Sequence, residues 1–158
     1  MSRTFGLWLL AMAVAFAVTV VASEKPTKEY QEIMKSNGTI VDLSAGTISR
    51  EVSGGAPVES TSLRVHMLAK DYDGIAKDAT TLKANFAKVE IFWTQRRVED
   101  AIRVSKVALK ASTDLETAAK AKDDAGIVAA QRTIADACRS CHLAHRVIML
   151  ADGTFEIA

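Results

Sequence analysis

Residues 65–86 read VHMLAKDYDGIAKDATTLKANF and carry the clearest helical pattern in the chain. The apolar side chains recur three and four positions apart, which is the spacing of one buried face of an α-helix. That face comprises Val65, Leu68, Tyr72, Ile75, Ala79, Leu82 and Phe86. The pattern predicts one long helix, with Ser60 as its N-cap and a turn near Asn85.

Three further segments, at residues 27–49, 88–122 and 127–150, show the same helical period. The polar stretch 53–57, which contains two glycines and a proline, ends the first of them. The acidic stretch 123–126 separates the last two. Strand-like alternation is confined to a few residues at 154–157. Four amphipathic helices with short connections predict an all-α protein folded as an antiparallel four-helix bundle.

The first 22 residues have the pattern of a secretory signal. Arg3 precedes an apolar run at 7–21, and small residues stand before Ala22. We therefore expect a cleaved signal peptide at 1–22, with cleavage after Ala22 or Ser23, and a mature domain at 23–158. An uncleaved membrane anchor is the alternative, although the run is short for a full span. Export predicts a bacterial periplasmic protein that has no membrane contact once the signal is removed.

The charges of the chain are nearly balanced. Its 158 residues include 20 lysines and arginines against 19 aspartates and glutamates. A nucleic-acid-binding domain usually gathers basic residues into a patch or stripe, and this sequence has none. We therefore expect no nucleic-acid partner.

A short motif in the last helical segment carries the chemistry. Cys138-Arg139-Ser140-Cys141-His142 has the C-x-x-C-H spacing of covalent haem attachment. Residues three apart share one face of a helix, so both thiols can reach the same edge of the haem. The motif predicts one covalently bound haem c near the C-terminal helix. Cys138 and Cys141 would anchor it, and His142 would be the proximal iron ligand.

Two other readings of these cysteines remain. Cys138, Cys141, His142 and His145 could supply the four ligands of a zinc site, although one or two helical turns give poor tetrahedral geometry. The second alternative is a redox-active C-x-x-C motif. Such motifs usually open a helix in an α/β protein, whereas this one lies in a late helix.

The ligand on the distal side of the iron is less determined by the motif. The chain after His142 is too short to reach that side, so the candidates lie upstream and are Met34, Met67 and His66. Gly38 lies one helical turn after Met34, and its missing side chain would let a flat macrocycle approach. Ordinary core packing is the usual role of a helix methionine, so spacing alone leaves Met34 open.

Residues 28–146 resemble the class II c-type cytochromes, the group of cytochrome c′ and cytochrome c556. The resemblance rests on the segments Ile33-Met34-Lys35-Ser36-Asn37-Gly38 and Glu90-Ile91-Phe92-Trp93, on the acidic break at Asp123-Asp124, on the haem motif and on Arg146. The Met-Lys-x-x-Gly stretch is similar to the c556 branch, which implies Met34 as sixth ligand of a low-spin iron. The sequence departs from the family at His145, usually a tyrosine, and at Tyr30, often an arginine.

These observations predict an electron-transfer protein that is not an enzyme. It would carry a His/Met low-spin haem and exchange electrons with redox partner proteins. The family often dimerises through its first two helices, so a homodimer is an option for this chain. The alternative function is that of a five-coordinate cytochrome c′, which binds nitric oxide or carbon monoxide. A haem peroxidase would need a distal acid/base pair, and the sequence suggests none.

Overall fold

The computed structural model describes residues 23–41, 62–150 and 154–158, with the side chains of 147–149 left out. The helices are α1 Lys28–Val41, α2 Leu63–Ala69, α3 Tyr72–Arg96, α4 Glu99–Ala121 and α5 Asp124–His145, and the strands are β1 Arg146–Met149 and β2 Phe155–Ile157. The predicted helical class is therefore confirmed. The predicted signal at 1–22, the Ser60 cap and the end of the first predicted helix lie outside the described residues. None of the described helices is long and apolar enough to cross a membrane.

Helices α3, α4 and α5 follow one another as antiparallel neighbours. Two-residue turns, at 97–98 and 122–123, join them. Ion pairs from Lys83 to Glu116 and from Lys106 to Glu90 connect α3 with α4 and show the antiparallel register. Apart from Leu115, the buried residues of α4 are small, which lets the helix axes approach closely. The small residues are Ala101, Ser105, Ala108, Ala111, Ser112, Ala118 and Ala119.

Helix α1 packs along α3 in the opposite direction. The ring of Tyr30 stacks on that of Phe92, with 3.8 Å between the centroids. Seven residues further along α1, Asn37 accepts a hydrogen bond from Asn85 of α3. The two contacts hold α1 against the C-terminal half of α3, which lies beside the first turns of α4. A pocket lies between α1 and α5.

The predicted helix at 60–85 is broken at Lys70 and Asp71. Lys70 ends α2 in the left-handed region, at φ 53°, and the Asp71 side chain caps α3 by accepting a hydrogen bond from the Gly74 amide at 3.0 Å. Because of this break, α2 does not continue the buried face of α3 as the sequence predicted. Val65 and Leu68 are consequently 41% and 77% exposed instead of packed in the core.

The turn predicted near Asn85 is wrong, because α3 continues to Arg96. Phe86, Val89, Phe92 and Trp93 extend the same three-and-four spacing and are all buried, so the apolar face stabilises an unbroken helix. The chain turns instead at Arg97, which is in the left-handed region at φ 58°. Phe92 and Trp93 therefore belong to the end of α3 and not to the start of the next helix.

The last helix is also shorter than predicted. It ends at His145, and the next residues form β1 instead of a helix up to residue 150. Strand β1 pairs with β2 in antiparallel fashion, and Ile157 also pairs with Glu24 before α1. The few residues at 154–157 with strand-like alternation thus lie in a short strand whose Ile157 is buried.

Candidate functional site

The C-x-x-C-H motif lies in the last two turns of α5. Cys138 is buried, Cys141 and His142 are half-buried, and neither cysteine forms a disulfide among the described residues. Arg139 and Ser140, between the cysteines, are exposed. Helical periodicity therefore places both thiols on one inward face, as the sequence predicted, and the structure shows that the two spacer residues lie outward.

The inward side of the motif forms one wall of a narrow pocket, which is partly open to solvent and has a cavity volume of about 30 Å³. Helix α1 forms the opposite wall through Tyr30, Met34, Asn37 and Gly38. Helices α3 and α4 supply the rest of the lining with Phe86, Val89, Val104, Ser105 and Ala108. The structure thus brings Met34 together with Cys138, Cys141 and His142 around one space, although the two helices are far apart in the sequence.

The other two distal candidates lie elsewhere. Met67 and His66 belong to α2, and neither is among the described residues that line the pocket. The Nδ1 atom of His66 lies 2.9 Å from the Asp78 carboxylate, so that ring is held against α3. Of the three candidates named from the sequence, Met34 alone contributes to this pocket.

The lining suits a flat, largely apolar group. A Cβ added at Gly38 would meet no atom within 4 Å, so the pocket is open directly in front of this glycine. Aromatic and aliphatic side chains from α1, α3 and α4 make up most of the walls, and His142 is the single ionisable nitrogen base among the described lining residues. An apolar macrocycle with a metal centre would find apolar contact there, and His142 and Met34 would offer nitrogen and sulfur ligands from two sides.

Burial sets the protonation states in the pocket. It raises the pKa of the Cys138 thiol to about 12 and that of the Cys141 thiol to about 11. The neighbouring Cys141 adds to the shift of Cys138, and Asp100 adds to the shift of Cys141. Both side chains are therefore protonated thiols at neutral pH, which disfavours the redox-active reading, because that chemistry needs a thiolate. Burial, helped by the charge of Arg146, also holds the pKa of His142 below its usual range. The neutral imidazole that results is the form that binds metal ions.

The structure does not form the four-ligand zinc site. His145 faces away from the pocket: its Nε2 lies 2.9 Å from the Asp100 carboxylate, and its Nδ1 lies 2.9 Å from the backbone oxygen of Ala158. Its ring also packs 5.0 Å from Trp93, measured between centroids. Across the described ranges, no three His, Cys, Asp or Glu side chains are gathered as a metal ion would require.

Tyr30 and Asn37 are pocket residues that the sequence did not identify as functional. Burial raises the pKa of the Tyr30 hydroxyl well above its usual range, so it stays protonated. Asn37 is a buried amide in the same wall. Both could have been found from spacing, because Tyr30, Met34 and Asn37 are four and three residues apart and so lie on one face of α1.

Comparisons with protein-family models, with curated proteins and with solved structures found no match. The resemblance to class II c-type cytochromes therefore stays a prediction from the residues.

Proposed function

We propose that this protein is a periplasmic class II c-type cytochrome with one haem c, which transfers electrons to and from redox partner proteins. The observation that carries this proposal is the pocket itself, in which Cys138, Cys141 and His142 of α5 face Met34 of α1. In this proposal α1, α3, α4 and α5 are the four helices of an antiparallel bundle, and the haem lies between the first and the last of them.

Each of the four residues has a defined part. Cys138 and Cys141 would hold the haem through two thioether bonds, and His142 and Met34 would bind its iron from opposite walls. The bound group supplies a one-electron couple between ferric and ferrous iron. Burial keeps His142 neutral, so its nitrogen lone pair is free to bind metal. The thioether of Met34 is a soft ligand that favours ferrous iron and so raises the reduction potential.

The walls of the pocket support electron transfer in two further ways. Phe86, Val89 and Val104 cover the space with apolar surface, which excludes water and lowers the local dielectric constant. Such an environment penalises additional positive charge and therefore also favours the ferrous state. Tyr30 and Asn37 hold α1 on α3, and α5 packs on α4, so we expect little rearrangement of the two ligands between oxidation states once the haem joins α1 to α5.

Covalent attachment is the first property to test. The protein would be produced in a host that attaches haem c, as wild type, as Cys138→Ala/Cys141→Ala and as Arg139→Ala/Ser140→Ala. The last is a matched control, since it changes the two exposed residues of the same motif. Haem should stay on the wild type and on the control after denaturing electrophoresis, and should be absent from the cysteine variant. Covalent haem on the cysteine variant, or none on the wild type, would contradict the proposal.

An absorption spectrum then separates electron transfer from gas binding. We expect low-spin bands in both oxidation states and no change when carbon monoxide is added to the reduced protein. A high-spin spectrum that shifts with carbon monoxide would instead indicate an open distal side, as in cytochrome c′, with Met34 serving only to pack the pocket wall.

A further inference from the structure

Asn37 has an amide group whose hydrogen bonding is incomplete. The residue is 3% exposed and lines the pocket on the same wall as Met34. Its Oδ1 accepts a hydrogen bond of 2.8 Å from Nδ2 of Asn85, and Asn85 also donates to Oγ of Ser36 at 3.2 Å. The Nδ2 of Asn37 itself is buried and has no hydrogen-bond partner in the part of the chain that the structure describes.

A buried amide donor without an acceptor is unfavourable and uncommon in folded proteins. Asn85 holds the carbonyl end of the Asn37 side chain, so rotating the Asn37 amide alone would put two donors against each other. Because Asn37 lies in the pocket wall, the group that fills the pocket is the natural source of the missing acceptor.

A carboxylate is a poor candidate for that acceptor. Neither lysine nor arginine is among the described residues that line the pocket. A haem propionate placed beside Asn37 would be a buried charge without a counter-ion, which is costly. The propionates are therefore expected at the open side of the pocket. The remaining candidate is an acceptor on the α1 side of the iron, where Met34 precedes Asn37 by one helical turn.

We propose that Asn37 donates a hydrogen bond from Nδ2 to the acceptor atom at the distal position of the iron. That atom is the sulfur of Met34 or, when Met34 is absent, a small ligand such as carbon monoxide. This inference rests on the proposed function. The positive end of the N–H bond would then lie beside the atom bound to the iron, which disfavours the more positive ferric state and so raises the reduction potential.

The first experiment measures the reduction potential of the holoprotein as wild type, Asn37→Leu, Asn85→Ala and Thr39→Ala. Asn37→Leu should lower the equilibrium constant for reduction about tenfold, which is ~59 mV for one electron. Asn85→Ala should give a smaller decrease, because the amide of Asn37 loses the partner that orients it. Thr39→Ala is the control and should leave the potential unchanged, since Thr39 is an exposed residue of α1 that neither lines the pocket nor bonds to Asn85. Asn85 is half-buried, so its variant serves if Asn37→Leu fails to fold.

The second experiment adds carbon monoxide to reduced Met34→Ala, with and without Asn37→Leu. Loss of the donor should weaken carbon monoxide binding severalfold and raise the C–O stretching frequency in the infrared. A change in the potential alone would assign the Met34 sulfur as the acceptor, and a change in carbon monoxide binding alone would assign the small ligand. Intact covalent haem with neither change would overturn the role of Asn37 alone, whereas absence of covalent haem would overturn the proposed function as well.

Discussion

Met34 reaches the pocket because of its place in the helical repeat of α1. Ile33, Ile40 and Val41 are buried in the core, and Met34 lies beside them on the edge that faces α5. Spacing in the sequence offered three distal candidates, and only the family resemblance favoured Met34. The choice depends on the break at Lys70, which directs α2 and its two candidates away from the pocket.

Replacing Met34 tests its role as a ligand. Met34→Ala should convert the iron from low-spin to high-spin and allow carbon monoxide to bind the reduced protein, because no other side chain is expected to take the sixth position. Met67→Ala is the matched control: Met67 is also half-buried and packs on the core, but it does not line the pocket. Absorption spectra of both variants provide the measurement. If the Met34→Ala protein stays low-spin and does not bind carbon monoxide, Met34 is not the sixth ligand.

Single residues also show the limits of sequence reasoning about the site. Cys138, Cys141 and His142 could be identified because their chemistry lies in one local motif. Spacing places Asn37 on the same face of α1 as Met34, but its hydrogen bonding could not be predicted, since it depends on Asn85 in another helix. The hydrogen-bond partners of a buried amide depend on the tertiary structure.

Among the described elements, three helices end with a residue in the left-handed conformation, and two of those turns share a sequence. Lys70 and Lys122 have φ values of 53° and 55°, and the aspartate after each caps the next helix by accepting a hydrogen bond from a glycine amide. The common pattern is Lys-Asp-x-x-Gly, at 70–74 and at 122–126. Only the second turn is evident from the sequence, because at the first the apolar spacing from Leu68 to Tyr72 continues across the break by coincidence. The turn at Arg97 has no such signal, since Val98 provides no side-chain cap.

The two capping aspartates should each contribute to stability. Asp71→Ala and Asp123→Ala remove the acceptor for the Gly74 and Gly126 amides and should each lower the free energy of unfolding by about 1 kcal/mol. Asp73→Ala is the control, because Asp73 also lies in the first turn of α3 but makes no capping bond. Chemical denaturation followed by circular dichroism gives the comparison. If the capping variants lose no more stability than Asp73→Ala, the two turns do not depend on these caps.

At the scale of the whole molecule, the helices differ in how firmly they are held. Helix α4 is joined to α3 and to α5 by short turns and by extensive packing, and Lys70 and Tyr72, at the turn between α2 and α3, both bond to Asp124 at the start of α5. Helix α1 has fewer contacts with the rest and faces α5 mainly across the pocket. The group that fills the pocket would therefore be the main connection between α1 and α5.

Hydrogen exchange can test this dependence of α1 on the haem. In the holoprotein we expect protected amides in α1 and in α4. Cys138→Ala/Cys141→Ala should lose protection mainly in α1, by roughly tenfold or about 1.4 kcal/mol of local opening free energy, because α1 then opens without unfolding the other helices. Arg139→Ala/Ser140→Ala controls for changes within the motif. An equal loss in α1 and α4 would mean that the haem stabilises the whole core together, and unchanged protection in α1 would mean that Tyr30 and Asn37 hold this helix without it.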